Sequence, residues 1–333
     1  MTGTWKFDLR TDPLPALLGW LDPALTYFVR RDLLEETTGS VDSLWVLPEV
    51  KRLVEKQQAD GAWRYPGKTY DPFSNANYNL LEAYRTLRLL VEKYGFQHDH
   101  PALAKAAEYV FSFQTDEGDI RGILGNQYMP YYHGAFLELL IKAGYGNDMR
   151  IEKGLQWLLS LRQEDGGWVI PAQQVPARQK TSQLWHGMPV PPDRSRPHAH
   201  IATGMVLRAF AAHPAYRRHP DVITAAVRLK ERLFQADKYN DRKAPAYWFK
   251  IQFPFWFPSL VTALDTLSQL GFDRQDKDIA RGLDWFIKNQ SADGLWGTGY
   301  GSGRNAEGMR RWVGLAVCRV LKRFFEKEYI YVP

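Results

Sequence analysis

The chain is poor in cysteine and has no long apolar run. Its 333 residues hold a single cysteine, Cys318. That excludes an intramolecular disulfide framework and a cysteine-built zinc ribbon, and it fits a reducing compartment such as the cytoplasm. No stretch of about 18 apolar residues occurs, so no membrane-spanning helix is expected. The longest candidate, 253–264, is interrupted by Pro254 and Pro258. The opening, MTGTWKFDLRTDPLP, lacks the apolar centre of a secretory signal. The period-two alternation of strands is nearly absent. Neither sign of charge dominates: 43 Lys and Arg against 37 Asp and Glu leave +6. That balance is too small and too scattered for a nucleic-acid partner, although it favours anionic ligands.

Aromatic residues, in contrast, are plentiful. They make up 14% of the chain and include 12 Trp. A chain of this length has a large core to fill, and an aromatic-lined cavity is the sharper use for the surplus.

The sequence repeats itself. GLQWLLSLRQEDGGW (154–168), GLDWFIKNQSADGLW (282–296) and EVKRLVEKQQADGAW (49–63) are three clear copies. A worn copy, YVFSFQTDEG, covers 109–118, and a trace, RLFQAD, ends at Asp237. Each copy opens as an amphipathic helix, as in Ile151, Leu155, Leu158 and Leu159 at i, i+4, i+7 and i+8. Asp-Gly then ends it, because Gly accepts the left-handed conformation and Asp favours a turn. A second helix follows that is apolar on more than one face: roughly 78–90, 131–143, 201–212, 258–270 and 307–325. Such helices are buried. Pairs of one half-exposed and one enclosed helix predict an all-α fold, and curling the stack into a ring covers the enclosed helices at both ends. The expectation is a single α/α toroid (an α6-α6 barrel) over 46–333, with 1–45 as an N-terminal helical segment completing it.

The Gln–Asp–Gly–Trp endings resemble the QW motif of squalene-hopene and oxidosqualene cyclases. The protein prenyltransferase β-subunits share the α/α barrel. The resemblance runs through Gln57, Asp60, Gly61 and Trp63; Gln163, Asp165, Gly166 and Trp168; and Gln290, Asp293, Gly294 and Trp296. The early segment LDPALTYFVRRDLLEE is similar to the opening of short, stand-alone squalene-cyclase-like proteins. The resemblance implies that the Gln caps a neighbouring helix, that the Trp packs beside it, and that the ligand is an isoprenoid. It does not bring the chemistry. The Asp-x-Asp-Asp acid motif, the Asp-Asp-x-x-Asp magnesium motif and the Asp-x-Cys zinc pair are all missing. Zinc or magnesium is therefore not favoured as a cofactor.

The loops after the repeat endings lead to the starts of the enclosed helices, so a ring would gather them at one mouth. Helix starts offer free N–H donors and partial positive charge, an anion site in waiting. The candidate catalytic residues there are Asp71, Glu307 and His198. The candidate substrate contacts are Tyr128, Tyr132, His133, Arg194, Arg196, His200, Trp256, Arg304 and Trp312. In this reading an isoprenoid tail lies along the aromatic residues, and an anionic head meets the arginines, whose planar fork suits phosphate oxygens. Asn77 and Asn305 fit equally well as helix caps, and Cys318 as a small buried apolar residue. The segment 171–197 holds six of the 20 prolines and a local charge of +3; it reads as a loop or lid. Function divides between a terpenoid-cyclase or prenyltransferase type of enzyme acting on a prenyl diphosphate, a non-catalytic isoprenoid or lipid carrier, and a protein-interaction scaffold. Peripheral membrane contact is an expectation of the first two.

Overall fold

The structure is a computed structural model, and it describes residues 4–6, 8–67, 76–239 and 242–326. The candidate Asp71 lies outside the described residues. The α-helices in chain order are α1 (Leu14–Leu18), α2 (Pro23–Asp32), α3 (Pro48–Glu55), α4 (Tyr78–Arg88), α5 (Pro101–Phe111), α6 (Pro130–Leu140), α7 (Met149–Ser160), α8 (Pro171–Gln174), α9 (Ser182–His186), α10 (His200–Ala212), α11 (Pro220–Glu231), α12 (Leu260–Gln269), α13 (Lys277–Lys288) and α14 (Arg304–Glu326). No strand occurs among the described residues, only isolated bridges. The protein is all-α. No helix among the described residues is long and apolar enough to cross a membrane.

The chain divides into two compact units. A terminal unit comprises Met1–Ser40, Lys230–Gln235 and Ala244–Pro333; a central unit comprises Val41–Leu229 and Ala236–Lys243. In the central unit, α10 is buried from His200 to Ala211 and packs chiefly against α6, itself buried along nearly its whole length. Gly134 permits this approach, since a Cβ there would sit 2.9 Å from Val206 Cα. Both α4 and α6 run on into π-helical turns, Leu89–Lys93 and Ile141–Tyr145. In the terminal unit, α1, α2 and α12 pack on α14.

The repeat endings share one bonding scheme. The indoles of Trp63, Trp168 and Trp296 each donate to a carbonyl ten residues back, Leu53, Leu158 and Phe286, at 2.7–2.8 Å. Those carbonyls lie in the last turns of α3, α7 and α13, where helices leave acceptors without partners. The amides of Gln57 and Gln114 each donate to the glycine of their own turn and to the second residue of the next half-exposed helix, Ala102 of α5 and Arg150 of α7, at 2.8–3.0 Å. Gln290 follows the same pattern with Gly294 and Thr11. The glycine is obligatory: Gly61 has φ +93°, and a Cβ would fall 2.2 Å from the Lys105 carbonyl.

Gln163 departs from the pattern. It donates to Asp193 and Arg196 of the proline-rich segment at 2.7 and 2.8 Å. That segment is not held at its ends alone. Buried Gln127 donates to the carbonyls of Leu184 and Met188 and accepts from the Val190 amide. Gln174 exchanges two hydrogen bonds with Asp193.

Candidate functional site

The central unit carries an aromatic cluster on α4 and α6. Tyr84 is buried and meets Tyr132 edge-on at 5.7 Å and Phe136 at 5.4 Å. Tyr131 meets Tyr132 at 5.0 Å. Tyr132 itself is only half-buried. The guanidinium of Arg88, one turn along α4, stands 5.1 Å over the Tyr84 ring. Burial pushes the phenols of Tyr84 and Tyr131 well above the usual tyrosine range, so both stay neutral.

A charged cluster adjoins it. Arg208 of α10 reaches Glu138 of α6 at 2.8 Å and Glu92, in the π-turn after α4, at 3.1 Å. Lys142 bonds Glu138 and stands 3.9 Å from Glu92. Burial raises both carboxyls. At Glu92 it prevails over the nearby Lys142 and Arg208 and holds the group above its ordinary value; at Glu138 the charges of Arg208 and Lys142 outweigh it and hold the group below. Three enclosed helices are thus tied by charges that only one another can satisfy. This cluster has no counterpart among the candidate residues named from the sequence. Its signal was there: Glu138 in YYHGAFLELL and Arg208 in ATGMVLRAFAA are lone charges in nearly all-apolar helices, and a buried charge requires a partner.

Of the helix-start candidates in the central unit, most are already committed. Tyr128 donates to Glu117 at 2.6 Å beneath the Arg121 guanidinium, 4.9 Å over its ring. Burial and Glu117 push its phenol up to about 12. His133 is wholly buried. Its Nδ1 accepts from the Ile120 amide and its Nε2 bonds the Gly154 carbonyl, both at 3.0 Å. Burial pushes it down to about 4, and neither nitrogen is left for a ligand. His198 is gripped by Asp165, whose Oδ2 accepts from both the ring Nδ1 at 2.8 Å and the backbone amide at 2.9 Å. Burial raises the Asp165 carboxyl, but the bonds from His198 prevail and hold it down at about 2. The His198 Nε2 is closed off from solvent and has no partner. His200 Nδ1 lies 3.3 Å from Asp237, which also takes the Ile201 amide. Arg196 donates to the Gln174 carbonyl and stacks over Tyr239. Arg194 is exposed and bonds no side chain.

Three of the helix starts have an N–H taken by a side chain of the protein. Asn77 caps α4 through the Leu80 amide, Asp237 serves α10, and Ser259 with Thr262 forms a capping box on α12. No side chain caps α6, which opens on Pro130.

The terminal unit holds the other four candidates. Trp312 is buried, lies flat on Phe253 at 4.5 Å, and donates to Asp22, the cap of α2. It is a core residue of that unit. Trp256 is half-buried and stacks on Phe257. Glu307 pairs with Arg311 at 2.8 Å and Arg310 at 3.7 Å. Arg304 is exposed at the start of α14. Among the described residues, no three His, Cys, Asp or Glu side chains gather as a metal site requires.

No family profile matches the chain, and no curated protein does. Solved structures do align with it. A protein from Actinoplanes is 17% identical over 85% of this chain and 99% of its own, with a TM-score of 0.32. The type II terpene cyclase MstE from Scytonema is 15% identical over 85% and 96%, with a TM-score of 0.31. A polysaccharide lyase is 11% identical over 87% and 88%, with a TM-score of 0.46. Likenesses this loose carry no argument, and the cyclase and the lyase perform different chemistry. The all-α class stands on the helices themselves.

Proposed function

We propose that the protein binds an isoprenoid, with the tail of the ligand on the tyrosine cluster of α4 and α6, in a ring of helix pairs like that of the terpenoid cyclases its repeats resemble. The observation that carries this reading is Tyr132: half-buried and backed by Tyr84 and Tyr131, with the buried Arg88 standing over the Tyr84 ring. A hydrocarbon chain gains about 25 cal/mol for each Å² it removes from water, and neutral aromatic faces also suit an allylic cation.

The head group is the second part of the proposal. With the starts of α4 and α10 capped internally, a diphosphate in the central unit relies on side-chain cations, chiefly Arg194. A neutral prenol does not need it. For acid–base work, Glu307 is already paired with Arg311 and Arg310. His198 with Asp165 has the arrangement of an oriented base, provided that its Nε2 becomes uncovered.

Titrating farnesol and farnesyl diphosphate into wild type, Tyr132→Ala and Arg194→Ala tests both parts. Tyr132→Ala should weaken both ligands by about tenfold, as expected for losing roughly 1.4 kcal/mol of aromatic contact. Arg194→Ala should weaken the diphosphate alone, roughly tenfold. Absence of binding by either compound, or an unchanged affinity in a folded Tyr132→Ala, rejects the tail assignment. Equal effects on prenol and diphosphate reject the head assignment. Product analysis after incubation with prenyl diphosphates separates turnover from carriage.

A further inference from the structure

The central unit holds a second concavity, between the 3-10 turn Val41–Leu44, α3 and the start of α5. It encloses about 610 Å³, within the span of small-molecule sites. Its walls are the Trp45 ring, the apolar Val46 and Val54, and the charged Asp42, Glu55 and Lys51, with His100 at the α5 end. Nothing in the isoprenoid reading uses it.

Three features define what fits there. First, Trp45 is fixed. Its Nε1 donates to the Tyr94 carbonyl at 3.1 Å, and its ring rests on Phe96 at 5.1 Å and edge-on to His100 at 5.3 Å. The indole N–H is spent, so the ring contributes a face and an edge. Second, His100 is uncharged at neutral pH. Its Nδ1 accepts from the Ala102 amide at 3.1 Å, which places the hydrogen on Nε2, and burial holds its pKa below the ordinary value against the pull of Asp99. Third, Asp42 and Glu55 are exposed and form no ion pair among the described residues. With Lys51 the lining carries a net charge of −1, on a chain whose total is +6. An anionic, aromatic-walled concavity on a basic protein selects cations. An indole face attracts an ammonium group through its quadrupole, and the two carboxylates add to that attraction.

We propose that this groove is a ligand site for an organic cation, an ammonium group carrying a compact apolar body, with the nitrogen between Trp45 and the carboxylates and the body on Val46 and Val54.

The probe is benzyltrimethylammonium, against benzyl alcohol as its neutral counterpart and 3-phenylpropionate as an anion. The full chain is labelled with 5-fluorotryptophan and read by fluorine NMR, with Trp45→Phe to assign the Trp45 signal. The cation should shift that signal saturably, with a Kd at least about threefold lower than that of the alcohol, and the anion should not shift it. The double change Asp42→Asn with Glu55→Gln removes only exposed, unpaired charges and should leave the circular dichroism unchanged. It should raise the Kd of the cation at least about threefold, as should raising NaCl to ~0.5 M. Equal shifts by all three probes, or an unchanged Kd in the folded double variant, overturns the assignment. The prenol and diphosphate titrations are untouched by either result, so this site and the tyrosine site stand or fall separately.

Discussion

The turn after α7 and the turn after α5 occupy equivalent places in two neighbouring repeats of the central unit, and they are held differently. After α7, the Trp168 indole returns to Leu158, and the Trp168 amide is taken by Thr203 Oγ1 at 2.9 Å. After α5, Ile120 stands where the tryptophan would be, and its amide is taken by His133 Nδ1. The glutamine bonds of Gln114 survive intact without the indole. The Gln–Gly part of the motif therefore shapes the turn and pins the next helix, while the tryptophan fills the core. At the worn turn the His133 imidazole does for the Ile120 amide what Thr203 does for the Trp168 amide, and Trp157 covers the imidazole edge-on at 5.1 Å. A histidine that looks functional at a helix start is a bonding partner of the turn.

The largest effect should come from the indole. Trp168 is fully buried, so Trp168→Ala should cost ~3–5 kcal/mol, whereas Ile120→Ala should cost ~2 kcal/mol, the low end for a buried aliphatic side chain. Urea unfolding of both variants checks this; a Trp168→Ala loss below ~1 kcal/mol, or a larger one at Ile120, breaks the contrast. Next comes His133→Ala, which leaves the Ile120 amide and the Gly154 carbonyl buried and unpaired, at ~1–3 kcal/mol each. Thr203→Val removes one such bond at the other turn and should cost about half as much. Gln114→Ala and Gln163→Ala should be closer to each other, ~1–3 kcal/mol, but Gln163→Ala alone should speed hydrogen exchange or proteolysis in 171–197. Equal protection of that segment in both variants would show that Gln163 does not hold it.

The smallest effect is in acid, and it separates the turns by pH. His133 is held neutral, with its pKa lowered from 6.5 to about 4. The unfolded chain binds that proton more readily, so its contribution is lost as pH falls from about 6.5 towards 4. Asp165 is lowered from 3.8 to about 2; its contribution is present above about 4 and lost as pH falls through about 2. Stability measured against pH should lose the upper step in His133→Phe and the lower step in Asp165→Asn. Identical profiles for the two variants would contradict the assignment.

Much of the fold was legible in the sequence because periodicity and turn chemistry are local. The enclosed helices expected at 78–90, 131–143 and 201–212 are found as α4 and α6 with their π-turns and as α10. The structural reading of Asn77 holds, since its side chain caps α4. Less of the site was legible, because bonding across helices is not local. Nothing in the spacing of His133 announces Ile120 and Gly154 as its partners, and nothing in the run Arg194–His200 announces that Asp165 and Asp237 occupy its histidines. The start of α10 shows the same reason: it looks open until Asp237, which takes the Ile201 amide from another repeat, is placed. Even so, the charges buried in α6 and α10 were visible as exceptions to an apolar pattern, and Glu138 marks one of the two helices on which the tyrosine cluster sits.

The central claim is that this cluster contacts the ligand. A farnesol analogue carrying a benzophenone at the end of its tail tests it directly, through photolabelling of the full chain and mass mapping of the labelled peptides. Labelling should fall on the peptides that contain Tyr84–Arg88 and Tyr131–Phe136, and excess farnesol should suppress it. Labelling confined to other peptides, or labelling that farnesol does not suppress, would contradict the claim.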